Sequence, residues 1–401
     1  MASSQKLSTL QIFLAFLKLG MTSFGGPVAH LGYFRDEFVT RRGCLKEETY
    51  ADLVALCQFL PGPASSQVGF AIGLSQAGLR GGLAAWIGFT FPSALALILF
   101  AYGVVSLPES TVGVDWLHGL KVVAVAVVAQ AIWGMARSLC PDWPRRAIAI
   151  LAAVVALTLE GVAGQLAAIG GGALLGLCFL RYIESGRHQP QLFISSKKSG
   201  AISLGIFFTL LLALPLLARE GYQALVLVDS FYRSGSLVFG GGHVVLPLLQ
   251  AEVVAPGWIG KDLFLAGYGA AQAVPGPLFT FAAYLGTAMS VAPNGWIGGL
   301  LCLLAIFLPS FLLVGGILPF WEALRKNRHV RSALVGVNAA VVGLLLAAFY
   351  DPVWSSGILS IGDLLLALAA FALLTLWRLP PWLVVAATGL AGALLSALLV
   401  G

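Results

Sequence analysis

Charge is scarce in this chain: of 401 residues only 10% are Asp, Glu, Lys or Arg. The longest polar stretch, 184–200, suits a linker between halves and leaves no water-soluble domain in which an ATPase could fold. A phosphate-cradling P-loop, an H-E-x-x-H pair and a G-x-S-x-G elbow are all missing, so nothing points to an enzyme. Cysteine is rare as well. Cys44, Cys57, Cys140, Cys178 and Cys302 show neither metal nor disulfide spacing, so no metal or cofactor is expected. Four of them read as packing residues, while Cys57 falls one turn before Pro61. The first apolar run, 7–17, lacks a convincing A-x-A site, and no cleavable leader is expected.

Apolar residues dominate instead, at 59% of the chain, with a mean hydropathy of +0.93. Runs of membrane-spanning length recur at 83–105, 116–136, 164–180, 201–218, 297–320, 333–349, 358–377 and 382–400. The reading is an all-α polytopic membrane protein whose first partner is the lipid bilayer. A net charge of +6 sits in loops, so it reports topology and does not call for a nucleic-acid partner.

The chain also repeats itself. Phe16, Lys18, Gly20 and Phe24-Gly25-Gly26 return 215 residues later as Phe231, Arg233, Gly235 and Phe239-Gly240-Gly241. Gln58 with Pro61-Gly62-Pro63 returns after 214 residues as Gln272 with Pro275-Gly276-Pro277. Pro92-Ser93 and Gly119 return after 217 as Pro309-Ser310 and Gly336. Offsets this steady mark a duplication, with repeats at 1–183 and 222–401 joined by a polar linker and linking helix at 184–221. What both copies keep are helix breakers, with a basic residue beside one of them.

Charge placement orients the copies. Lys and Arg crowd loops 35–46, 137–146, 181–198 and 325–331, whereas 106–115, 160–164, 290–295 and 350–363 have none. The positive-inside rule places the first set in the cytoplasm, with the N-terminus on that side, and the second outside. Segments 7–36 and 50–79 then enter and leave on one side, as re-entrant hairpins broken at FGG and PGP. Each repeat holds two hairpins and four crossings, and the linking helix brings the expected total to nine crossings. That odd linking span inverts the second copy, the architecture in which secondary transporters hold substrate near the midplane.

Three cations fall inside the membrane in this scheme: Lys18, Lys121 and Arg233. A cation at bilayer depth costs about 2.5–3.5 kcal/mol on the lenient insertion scale. Lys121 lies close enough to a helix start to snorkel, and its repeat mate is Asn338. For Lys18 and Arg233 two readings stand: snorkelling or pairing with a carboxylate, and facing a shared cavity that holds an anion. Helices restarting after Gly26, Gly241, Pro63 and Pro277 offer unpaired N–H groups at their positive ends, which suits an anion. The candidate substrate-binding set is therefore Lys18, Phe24, Gly25, Gly26, Gln58, Pro61, Gly62, Pro63, Arg233, Phe239, Gly240, Gly241, His243, Gln272, Pro275, Gly276 and Pro277. Gln58 and Gln272 read equally well as helix–helix glue. His30 and His243 follow their FGG motifs without aligning with each other. Glu37 and Glu252 do align, and read as salt-bridge partners ahead of proton carriers. Ser93 and Ser310 sit at kinks where a lining role is open.

At F-x-K-L-G-x-x-S-F-G-G-P (16–27), Q-F-L-P-G-P (58–63), F-G-G-G-H-V-V-L-P (239–247) and Q-A-V-P-G-P (272–277) the chain resembles the long, two-domain members of the chromate ion transporter family. The resemblance covers essentially the whole chain. It implies a bacterial inner-membrane protein that exports chromate and confers chromate resistance, with sulfate as the chemically similar anion. A sulfate or other oxyanion transporter and an anion channel are the competing functions, and a homodimer is compatible with all three. The second copy departs from the first at one point: Gly242 stands where Pro27 does.

Overall fold

The computed structural model describes residues 6–106, 113–159, 161–180 and 196–400. Most of the polar linker and the 107–112 loop lie outside these residues. Every regular element among the described residues is helical.

The first hairpin opens with α1 (Thr9–Thr22). Ser8 and Gln11 cap it reciprocally, each side chain accepting from the other's backbone N–H. The chain turns through Gly25 and Gly26, at φ +101° and +76°, a region open to glycine. It returns as α2 (Gly26–Arg35), with Pro27 in the first turn, followed by a π turn at Asp36–Arg41. The second hairpin is α3 (Glu47–Phe59), a turn at 60–63, and the start of α4 (Ala64–Val105). A break at Ala77-Gly78 divides α4 into a short arm, 64–76, and a long crossing. Crossings α5 (Gly113–Leu139), α6 (Trp143–Thr158) and α7 (Gly161–Phe179) complete the repeat, and α8 (Lys197–Ala218) links the halves.

The second copy follows the same order. α9 (Gln223–Leu237) leads to a turn, α10 (Val245–Leu249) and a π turn at Gln250–Val254. α11 (Lys261–Ala273), a turn at 274–277 and α12 (Phe281–Ala288) form its second hairpin. Then come α13 (Gly295–Ile317), α14 (Trp321–Lys326), α15 (Arg328–Ala348), α16 (Ser355–Gly357), α17 (Ile361–Thr375) and α18 (Pro381–Val400). The hairpin arms α1, α3, α9 and α11 have 13–15 residues. At 1.5 Å per residue each is about 20 Å long, short of a hydrocarbon core of about 30 Å. Six segments are long and apolar enough to cross: 64–105, 117–139, 161–179, 197–218, 295–324 and 328–357. Helices α6, α17 and α18 lie at the sequence positions of the other expected crossings but are not among these six. The chain is a multi-pass membrane protein.

The repeats are not side by side. The last two helices of each clasp a central helix of the other. Gly172 and Gly176 bring α7 onto Gly336 of α15, while Gly343 admits Ala149 and Ala153 of α6. Reciprocally, Gly119 brings α5 onto Thr388 and Gly389 of α18. The two clasped helices are buried through their middles, at Val122–Val128 and Val337–Leu345. Without side chains at these glycines, backbones approach closely enough for van der Waals packing to hold helices together in lipid. Helix α8 packs on α9 and α13, where Phe207 O accepts from Tyr232 Oη at 3.0 Å.

Gly119→Val and Gly336→Val should each lower the melting temperature in detergent, because the obstacle at both sites is backbone. Gly134→Val, where nothing lies within 4 Å of the added carbon, should leave the melting temperature at the wild-type value. Overpacking of this kind costs about 1–3 kcal/mol or more.

Candidate functional site

The broken hairpins meet tip to tip across the repeats, and they trade backbone hydrogen bonds. Gly62 N–H donates to Val238 O at 2.6 Å, and Gly276 N–H donates to Ser23 O at 3.0 Å. Gly62 and Gly276 are repeat mates, as are Val238 and Ser23, so the exchange is reciprocal. Each PGP glycine also receives a serine from the other copy's Pro-Ser kink. A Cβ on Gly276 would meet Ser93 Oγ at 2.9 Å, and one on Gly62 would run into Ser310 Oγ. Both glycines hold positive φ, +118° and +97°, so this close approach and the turn both require glycine. Where the two FGG turns face each other, the space beside Gly242 is bounded by Pro27 and by Leu278.

The two FGG turns differ in what covers them. Gly25 is exposed, and a Cβ on Gly26 would find nothing within 4 Å. Their mates are equally accessible, Gly240 exposed and Gly241 half-buried, but a Cβ on Gly240 would meet Leu139, Met135 and Val341. Phe24 flanks the open turn with its ring 6.0 Å from Trp382. Phe239 is partly buried against the main core.

The expected cations separate. Arg233 is saturated by carboxylates: Nε and Nη2 reach the two oxygens of Glu252 at 2.9 Å each, and Nη1 reaches Asp229 at 3.0 Å. The sequence left carboxylate pairing and a shared anion cavity as alternatives for this residue. The geometry selects pairing, and Arg233 is a structural ion. Glu37, the mate of Glu252, is taken by Arg41 at 2.9 Å and Arg42 at 2.6 Å. Leu14 stands where Asp229 does, so no carboxylate is left for Lys18. Lys18 lies about 15 Å along the helix from Ser8 by the helical rise, on the exposed stripe with Leu10, Leu14 and Met21. Lys121 Nζ reaches Asp262 at 3.1 Å, tying together two segments that the charge reading places on one side.

The remaining candidates fall into place individually. Gln58 is exposed on α3, and Gln272 is half-buried with its Nε2 unpaired. His243 Nδ1 lies 2.8 Å from Tyr268 Oη. His30 is buried, with Nε2 3.2 Å from Ser23 O and Nδ1 3.4 Å from Ser65 Oγ. A carbonyl only accepts, so Nε2 carries a proton, and Ser23 O is shared by His30 and the opposing Gly276 N–H. Cys57 is buried in packing. Pro61, Pro63, Pro275 and Pro277 bracket the turns. Gln67, which no repeat comparison singles out, donates from Nε2 to Pro61 O at 2.6 Å. The polar triplet Ser65-Ser66-Gln67 interrupting an apolar run was its visible signal.

Arg233→Ala would leave two carboxylates uncompensated, a loss of about 3–5 kcal/mol. Little folded protein should then be recovered by size-exclusion chromatography. Arg233→Ala combined with Asp229→Asn and Glu252→Gln should restore a monodisperse peak.

Comparison with known proteins agrees with this architecture. A family model described as "Chromate transporter" matches twice, over residues 10–177 and 225–393. A chromate transport protein of Pseudomonas aeruginosa is 27% identical over 395 residues, covering 96% of this chain and 92% of the relative. A probable chromate transport protein of Synechococcus elongatus is 25% identical, over 96% of this chain and 95% of the relative. A chromate transport protein of Cupriavidus metallidurans is 25% identical, over 91% and 87%. No solved structure matches the chain. The doubled match, spanning both sets of hairpins, places this protein in the chromate transporter family.

Proposed function

We propose that this protein is a secondary transporter exporting chromate across the bacterial inner membrane, with the anion held where the hairpin tips meet. One observation carries the reading: the tips of both repeats converge, a Cβ on Gly26 at the first of them would meet nothing within 4 Å, and among the described residues no carboxylate pairs with Lys18. Lys18 heads the exposed run of Met21, Thr22 and Gly25, so its ammonium and the N–H groups behind Gly25 serve the same opening. Charge-assisted bonds to oxyanion oxygens are the stronger kind. In this reading the repeats are inverted, the N-terminus is cytoplasmic, and export confers chromate resistance.

The membrane potential suffices as a driving force. Each charge crossing 100 mV is worth about 2.3 kcal/mol, so a dianion leaving a negative interior gains about 4.6 kcal/mol. Obligatory exchange for a proton is not required.

Uptake of chromate into inverted vesicles tests the function. It should saturate and rise with a lumen-positive voltage. No uptake by wild-type protein would dismiss the transport reading. Lys18→Ala should reduce uptake at least tenfold at unchanged protein level, with Lys18→Arg retaining most of it. Wild-type uptake by Lys18→Ala would remove this residue from the site.

A further inference from the structure

The short arm of α4 begins directly behind Pro61-Gly62-Pro63 with Ala64, Ser65, Ser66 and Gln67. The first N–H groups of a helix have no intrahelical acceptor, and no side chain caps this one. Two hydroxyls accompany them. Ser66 lies in that first turn, and Ser310 Oγ reaches across from α13 to where a side chain on Gly62 would begin. Both side chains are at most 2% exposed, and neither Oγ has a hydrogen-bond partner.

The second copy shows that the fold does not force this. Thr280 stands where Ser66 does and donates to Pro277 O at 2.8 Å. Ser93 stands where Ser310 does and donates to Thr90 O at 3.1 Å. Phe281 replaces Gln67. At these two positions the hydroxyls are satisfied around Gly276 and unpaired around Gly62.

Gln67 adds an acceptor. Its Nε2 is committed to Pro61 O, which turns Oε1 the other way, buried and unpartnered. A lone pair repels a fully deprotonated oxyanion but accepts a hydrogen bond from an acidic O–H. Chromate keeps a proton near neutral pH, whereas sulfate is protonated only in strong acid. No ion pair involves this turn among the described residues. Its neighbours are Val238 O, Ser310 and, through Ser65 Oγ, His30.

We propose that residues 62–67 with Ser310 form an oxyanion subsite. The N–H groups of Ala64, Ser65 and Ser66 and the hydroxyls of Ser66 and Ser310 are its donors. Gln67 Oε1 selects the singly protonated oxyanion, hydrogen chromate, over sulfate. The assignment rests on reading the chain as an oxyanion transporter. Carrying the monoanion halves the charge moved per turnover and keeps its sign, so voltage still drives export.

Purified protein in liposomes at one fixed pH provides the test, with sulfate and hydrogen phosphate as probes. In wild type, hydrogen phosphate should inhibit chromate flux at least tenfold more strongly than sulfate. It should also raise the melting temperature where sulfate does not. The double variant Ser66→Ala/Ser310→Ala should raise the KM for chromate at least tenfold without lowering the melting temperature, since both hydroxyls are unpaired. Gln67→Met should let sulfate compete as well as hydrogen phosphate. Equal inhibition by the two probes in wild type, or an unchanged KM in the double variant, would overturn the subsite while leaving the transporter reading intact. Absence of any chromate flux would sink the transporter reading. The thermal shift would still decide the subsite, because hydrogen phosphate must protect wild type and fail to protect the double variant.

Discussion

A helix broken inside a bilayer exposes peptide groups that water cannot reach, and each must find a partner in the protein. Here the partners come from the other repeat. Gly62 N–H is satisfied by Val238 O, and Gly276 N–H by Ser23 O. The FGG and PGP motifs are therefore two halves of one device, each supplying what its counterpart in the opposite copy lacks. The Pro-Ser kinks belong to it too. Pro92 has no N–H to give to Gly88 O, and Gly20 brings α1 against that carbonyl and against Phe89 O. Gly235 does the same at Ile306 O. Glycine, proline and serine recur together because backbone approaches backbone at every one of these points.

On this symmetric frame the chemistry is asymmetric. Arg233 is neutralised by Asp229 and Glu252, whereas Lys18 is exposed. One FGG turn has Met135 and Leu139 beside its first glycine, whereas a Cβ on Gly26 of the other would meet nothing within 4 Å. Around Gly276 the hydroxyls of Thr280 and Ser93 bond to Pro277 O and Thr90 O, whereas around Gly62 those of Ser66 and Ser310 are unpaired. Duplication supplied two equivalent sets of breaks, and substitution then made one set structural. A tetrahedral anion has no need of two identical binding halves. The subsite proposed above draws its unspent hydroxyls from both copies, Ser66 from the first and Ser310 from the second.

The breaks were legible in the sequence because glycine and proline act locally, and their spacing survives divergence. The clasping of α15 by α6 and α7 was not, since it depends on which backbones can touch in three dimensions. Arg233 illustrates an intermediate case. Asp229 precedes it by four residues and Glu252 aligns with Glu37, so carboxylate pairing was readable. Matching Arg233 to Lys18 kept the shared anion cavity in view, although Leu14 at the mate of Asp229 already separated them. Gln67 was missed for the opposite reason. A search for residues kept in both copies finds Gln58 and Gln272 and passes over a glutamine whose mate is Phe281. Repetition reveals scaffold, and function at a specialised site hides among the positions that do not repeat.

The two π turns bear on orientation independently of the tips. Each follows the first hairpin of its repeat and buries an equivalent glutamate, Glu37 or Glu252. Around Glu37 the turn supplies Arg41 and Arg42, so the group is formally positive. At the equivalent turn Pro256 and Gly257 stand in their places, and Glu252 must draw its arginine from α9, giving with Asp229 a formally negative group. In the inverted arrangement proposed above the second turn lies outside, where basic residues are scarce, and Glu252 takes its partner from α9 instead of from its own loop.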